Sequence, residues 1–162
     1  CGIREGELLA LTPADFNFER GTVTINKSYQ RINKQDVITT PKTPKSIRVI
    51  QMPKFLCDEM QDYFKMFYSL DSDSRIFPIS KNYLHREMAR GSKATGVKRI
   101  RIHDLRHSHV SLLIDMGFTA LAIADRVGHE SIDITFRYAH LFPTRQIEMA
   151  DKLDMMRSEK GA

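Results

Sequence analysis

Apolar positions recur at helical spacing over most of this chain and at strand spacing over a short early stretch. Residues 3–11 place Ile3, Leu8 and Leu11 on a helix that Thr12-Pro13 ends. Residues 22–27 alternate, with Val23 and Ile25 pointing one way, and predict a strand. Two more strands are predicted at 37–40 and 47–52, joined by the turn-forming Pro41-Lys42-Thr43-Pro44-Lys45. Its prolines favour an edge or a protruding hairpin over a sheet centre. Behind Pro53, the residues Phe55, Leu56, Met60, Tyr63, Phe64 and Phe67 form one helical face.

A polar loop at 69–74 separates that helix from a short one at 81–90, for which Ser80 is a candidate cap. Residues 91–96, bounded by two glycines, read as a loop. Residues 103–116 predict a helix whose buried face runs through Leu105, Leu112, Leu113 and Met116, stopped by Gly117. Thr119 caps a further helix ending near Gly128, and Ser131 caps a third that carries Tyr138. Residues 144–157 read as amphipathic, with Ile147, Met149, Ala150, Leu153 and Met156 as the stripe. The expected fold is α+β: mostly helical, with one small three-stranded antiparallel sheet.

Length and composition change this picture little. The 162 residues suit one domain with a real core, and 41% apolar with 28% charged residues is ordinary for a globular chain. The 25 Lys and Arg against 20 Asp and Glu leave +5, which permits a polyanionic partner without establishing one. Cys1 and Cys57 have no metal-type or disulfide-framework spacing and suit a reducing compartment. No apolar run reaches the roughly 18 residues of a membrane span. The opening shows no signal peptide and runs straight into a helix, as expected of a domain from a longer protein.

Four places concentrate polar chemistry. Arg4 and Glu7, three residues apart, share a helix face and could be a surface ion pair. His103 and Arg106 project together, and a titratable donor beside a fixed cation suits either an anion or a solvated helix start. His103, His107 and His109 could suggest a metal, but no thiolate or carboxylate completes the set. His129 follows the helix-ending Gly128 in a turn. Tyr138 follows nine residues later, and a lone tyrosine would ordinarily be core or rim.

In this order and spacing, the four places resemble the tyrosine recombinase, or phage integrase, family from residue 2 to about 142. Gly2-Ile3-Arg4-Glu5-Gly6-Glu7-Leu8-Leu9-Ala10-Leu11 resembles that family's first-arginine motif. His103-Asp104-Leu105-Arg106-His107-Ser108 resembles its His-x-x-Arg motif. Val127-Gly128-His129, with Thr135 and Tyr138-Ala139-His140, resembles its nucleophile segment. Thr40-Pro41-Lys42-Thr43 followed by Ile47-Arg48-Val49-Ile50 resembles its lysine hairpin.

The resemblance implies a site-specific DNA recombinase that cuts and rejoins strands through a 3′-phosphotyrosine bond. Tyr138 would be the nucleophile, Arg4 and Arg106 would clamp the non-bridging oxygens, and His103 would take the tyrosine's proton. His129 would hydrogen-bond the phosphate, Lys42 would protonate the departing 5′ oxygen, and Glu7 would orient the site. The phosphotyrosine bond would conserve the energy of the broken one, so neither metal nor ATP is expected; the sequence has no Walker-type loop and no acidic metal cluster. Lys45 is a rival to Lys42, because Pro44 and Lys45 sit where the family's turn is usually more flexible. Val127 stands where leucine is more frequent. Lys98, Arg99 and Arg101 are candidates for DNA-backbone contacts or for a solvated loop.

Expected partners are double-stranded attachment sites, a homotetramer on DNA, and an excisionase or DNA-bending protein, in a bacterial cytoplasm. The whole of 1–162 would be the catalytic domain, with 144–162 a tail helix and with core-binding and arm-binding domains outside this chain. Two other readings are a type IB topoisomerase-like enzyme and a non-enzymatic DNA-binding module.

Overall fold

Val23, Ile25 and Ile50 need a common apolar partner, and antiparallel pairing supplies it. The computed structural model describes residues 1–41, 43–138, 140 and 146–159. In it β1 (Phe16–Asn17) pairs with β2 (Thr22–Ile25), and a strand at Arg48–Gln51 pairs with the other side of β2. Val23 and Ile25 oppose Ile50 and Arg48 in register, and the apolar three face Leu11, Met52, Cys57 and Ile76. α1 (Glu5–Ala10) leads into this core, and α2 (Lys54–Lys65) closes it through Leu56, Met60 and Phe64. Phe64 lies edge-on to Phe16 and Phe18.

The α+β class stands as expected, but strand membership differs. The strand predicted at 37–40 is β4 (Gln35–Thr39), and it pairs with β3 (Ser28–Ile32) in a separate two-stranded ribbon. The third place in the main sheet goes to the two-residue β1; its other outer strand, Arg48–Gln51, is β5. β3 escapes the hydrophobic pattern because Tyr29 is its only buried residue. Its turn also lacks the usual glycine: Asn33 and Lys34 both take positive φ, 50° and 65°. Tyr29 anchors the ribbon in a second cluster with Leu9 and Ala10. Arg75 stacks 4.2 Å from the Tyr29 ring centre and donates to Leu9 O, Ile79 O and Asp36 Oδ2.

The remaining elements are helices. α3 (Lys81–Thr95) starts at the predicted Ser80 cap, whose hydroxyl accepts from Tyr83 N–H, but it runs through the segment read as a loop. A single glycine costs a helix only about 1 kcal/mol. The helix stops instead at Gly96, where φ is +70°. α4 (Ile102–Asp115) and α5 (Ala120–Val127) pack Val110, Ile114, Ile123 and Val127 into a third cluster. The buried face of α4 is therefore Arg106, Val110 and Ile114, while the predicted Leu105, Leu112 and Met116 are exposed. α6 (Ile132–Phe136) ends before Tyr138, which lies in the turn that follows. α7 (Gln146–Glu159) is helical, but its apolar side chains Ile147, Met149, Leu153 and Met156 are all more than half exposed. Residue 144, the expected start of that helix, lies outside the described residues. No described helix is long and apolar enough to cross a membrane.

Candidate active site

The last carbonyls of a helix have no intrahelical partner and carry its negative dipole end. At the end of α5 three successive carbonyls each meet a different arginine. Arg48 Nε donates to Arg126 O at 3.0 Å, Arg106 Nη2 to Val127 O at 2.6 Å, and Arg4 Nη2 to Gly128 O at 2.9 Å. These arginines come from β5, α4 and the residue before α1, so one helix end gathers three distant segments. Gly128 permits this by taking φ +68°.

Glu7 holds the cluster from the other side. Its Oε1 accepts from Arg4 Nη1 at 2.8 Å and Arg48 Nη1 at 3.1 Å. Its Oε2 accepts from Arg4 N–H at 2.8 Å and Arg48 Nη2 at 2.9 Å. Arg4 and Glu7 are therefore not a surface pair: Glu7 is buried, and Arg4 is the residue that caps α1. Burial opposes ionisation of Glu7, but the hydrogen bonds from Arg48 and Arg4 outweigh it and hold the carboxyl below its ordinary range. Three guanidinium groups against one carboxylate leave a local charge of +2.

Arg106 is 5% exposed, and among the described residues no carboxylate pairs with it. Its Nη1 donates to Gly2 O at 2.7 Å. Burial, then the neighbouring Arg4, lowers its pKa to about 10, so it stays charged at neutral pH. Two of a guanidinium's five N–H groups are thus used on carbonyls, leaving donors for an anion.

His129 is buried beside the cluster, its Nδ1 2.8 Å from Thr135 Oγ1. Burial, then Arg106, Arg4 and Arg48, lowers its pKa to about 4, so the ring is neutral near pH 7. If Thr135 donates to Nδ1, Nε2 carries the proton and can serve as a donor. Tyr138 packs against the α4–α5 cluster, and its hydroxyl is hydrogen-bonded to Nδ1 of His107. Burial raises the Tyr138 pKa, while Arg106 and Arg137 pull it down.

His103 takes a different place. It is exposed on the first turn of α4, edge-on to His107 at 4.8 Å between ring centres, and it lines a groove of about 670 Å3 with Arg4, Arg31 and Lys34. Burial, then His107 and Arg106, lowers its pKa. His109 does not join a metal set: it lies against Gly2, and Arg126 Nε reaches its Nε2 at 3.4 Å. Lys42 lies outside the described residues. Its neighbours Pro41 and Thr43 line a second groove, of about 340 Å3, with Arg4 and Glu7. Lys45 is exposed on the 3-10 turn Pro44–Ser46. Lys98 and Arg99 are exposed and line a third groove with Arg101, whose guanidinium pairs with Asp104 at 2.8 Å.

Two residues of the site, Arg48 and His107, receive no catalytic role from the sequence, where His107 is weighed only as a metal ligand. Each had a signal. Arg48 is two residues from the inward-facing Ile50 and so shares its face of the strand. His107 is four residues from His103 and so shares its helix face.

The sheet and helices thus bring three arginines within electrostatic reach of the neutral His129, and one of them, Arg106, within reach of Tyr138. The sequence profile of the phage integrase family matches residues 1–145, and the chain belongs to that family. It is 37% identical to the ICEBs1 integrase of Bacillus subtilis over 94% of this chain and 45% of that protein. Its fold resembles the Tn1549 transposon integrase in complex with circular intermediate DNA, with a TM-score of 0.75 and 20% identity over 96% of this chain and 56% of that one. It also resembles the catalytic domain of bacteriophage HP1 integrase, with a TM-score of 0.60 and 21% identity over 93% of this chain and 74% of that one. The chain spans about half the length of the curated relatives it matches.

The cluster predicts one stability effect directly. A Cβ at Gly128 would lie 2.9 Å from Arg48 Nη1 and 3.0 Å from its Cδ, on a backbone whose φ already disfavours it. Gly128→Ala should destabilise the protein by roughly 1–3 kcal/mol, seen as a lower urea midpoint. A midpoint equal to the parent's would mean that Arg48 yields freely and that the carbonyl shell is not tightly set.

Proposed function

We propose that this chain is the catalytic domain of a site-specific DNA recombinase that cleaves and rejoins strands through a 3′-phosphotyrosine intermediate. The observation that carries the reading is the convergence of Arg4, Arg106 and the neutral His129 on the region that Tyr138 also faces. Phosphoryl transfer is mainly positioning and charge stabilisation, and this site offers both. Tyr138 attacks the phosphorus. Arg4 and Arg106 hold the non-bridging oxygens with their planar donors, and His129 adds a neutral one. Glu7 and the α5 carbonyls keep those guanidinium groups from moving. Lys42 protonates the leaving 5′ oxygen, with Lys45 the alternative. The proton of Tyr138 passes to an α4 histidine, for which His103 is the sequence candidate.

The substrate class is double-stranded DNA attachment sites. The groove between Arg4, Arg31, Lys34 and His103 supports a backbone-tracking surface, and Lys98, Arg99 and Arg101, on a separate groove, are further candidates for backbone contact. Affinity of the isolated domain would be largely electrostatic and steeply salt dependent. Core-binding and arm-binding domains belong to the rest of the protein, which acts in a bacterial cytoplasm with an excisionase or DNA-bending partner. The reading is tested by incubating the full-length protein with a nicked duplex carrying the junction of its mobile element. An SDS-resistant protein–DNA band is expected; its absence on the true junction would leave a DNA-binding module.

Assembly is a homotetramer on DNA, with α7 docking on a neighbouring protomer. The exposed Ile147, Met149, Leu153 and Met156 support docking in trans over packing on the parent domain. An apolar groove of about 480 Å3, which includes Met52, Leu113, Met116 and Phe118, offers an acceptor of matching chemistry. Deleting residues 144–162 should leave the melting temperature of the DNA-free monomer unchanged and abolish higher-order complexes on DNA in sedimentation. A lower melting temperature would instead place the tail on its own domain.

A further inference from the structure

The Tyr138 hydroxyl meets the ring of His107, with ring centres 5.8 Å apart and the hydroxyl against Nδ1. No hydrogen bond joins it to His103 among the described residues. His107 is partly buried one helical turn beyond His103, so the two rings are in edge-on contact but only the inner one reaches the tyrosine. The geometry points to His107 as the catalytic base that takes the Tyr138 proton. This rests on Tyr138 being the nucleophile, as proposed above.

The step balances without any further reactant. The Tyr138 Oη–phosphorus bond forms as the bond from phosphorus to the 5′ oxygen breaks. The phenol proton moves to His107 Nδ1, and the 5′ oxygen takes a proton from the general acid assigned to Lys42. Rejoining reverses it: the 5′ hydroxyl attacks, and His107 returns its proton to Tyr138. An accepting Nδ1 requires the neutral ring to hold its hydrogen on Nε2.

The titratable groups within electrostatic reach of His107 are Asp104 and His103 on its own helix and His129 from beyond α5. Hydrogen bonds from Arg101 hold the Asp104 carboxyl at about 2, so it is ionised throughout the pH range of the test.

The test follows adduct formation by the full-length protein on the nicked junction duplex, across pH, for His107→Ala, His107→Asn and His103→Ala. Asn can accept a hydrogen bond but cannot take the proton. Both His107 variants should slow the adduct about 100- to 10,000-fold and lose the fall in rate on the acid side, while His103→Ala keeps that fall. His107→Asn within threefold of the parent, or an acid limb that survives in it, overturns the assignment. A second readout does not depend on the variants folding. The imidazole nitrogen resonances of His107 in the parent chain should shift in Tyr138→Phe, and unchanged resonances overturn it equally. A parent that forms no adduct refutes the recombinase reading itself, a result distinguishable from a normal parent with a normal His107→Asn.

Discussion

Tyr138→Phe should reduce the SDS-resistant adduct on the nicked duplex below detection while leaving the protein folded and able to bind DNA. The physical basis is the separation of the two jobs of this side chain. Its ring packs against the α4–α5 cluster and is retained in Phe, while its hydroxyl makes one hydrogen bond among the described residues, to His107. Losing a single such bond costs about 1 kcal/mol. That corresponds to a drop of about 2–4 °C in melting temperature for a domain of this size. DNA affinity, set by Arg and Lys contacts, should stay within twofold at fixed salt. An adduct that persists in Tyr138→Phe would remove Tyr138 from its role whatever the rest of the site does. A drop of 10 °C or more would mean that the hydroxyl is chiefly structural.

Glu7→Ala should be the most damaging change to stability. Glu7 is 3% exposed and accepts four hydrogen bonds, from Arg4 and from the buried Arg48. Breaking a buried pair by removing one partner costs about 3–5 kcal/mol, because the remaining charge is left uncompensated. The melting temperature should fall by about 6–20 °C. Adduct formation should fall as well, since Arg4 loses the contacts that hold it. A fall below 3 °C would show that water reaches the arginines and that the cluster is looser than its geometry.

The same group sets part of the acid response. Because the folded pKa of Glu7 is depressed, its contribution is present above the unfolded value and is lost as pH falls through the folded one. His109 and His129, lowered to about 4, act in a higher window. Between roughly pH 6.5 and 4 the unfolded chain binds protons that these folded rings do not, so stability falls with pH there. The parent should lose stability first across that range and again below it, and in Glu7→Gln the second loss should be smaller, with the part owed to Asp104 remaining. A parent whose melting temperature is flat from pH 6.5 to 4 would contradict His109 and His129 both being neutral.

Local features were the legible ones. Ser80, Thr119 and Ser131 cap their helices as the sequence suggests, because a cap is a contact within three residues. The His103–Arg106 spacing and the glycine at the end of α5 were readable for the same reason. Gly91 misled because a glycine in a helix is only mildly unfavourable, and it lies where a Cβ would meet open space. The β3–β4 ribbon was half missed because Tyr29 alone anchors β3, so no alternation of buried residues announces it.

The sequence by itself determined the helices, their caps, the inventory of arginines and histidines, and the family resemblance. Each of these depends on neighbours a few residues away or on the order of motifs along the chain. Tertiary structure decided what those groups face. Arg4 reaches a carbonyl 124 positions away, Arg48 one 78 away and Arg106 one 21 away, all at a single helix end. It also decided that Tyr138 meets His107 and not His103, a choice of one helical turn. Periodicity puts both histidines on the same face, and only the placement of the turn after α6, which sets Tyr138 against α4, selects between them.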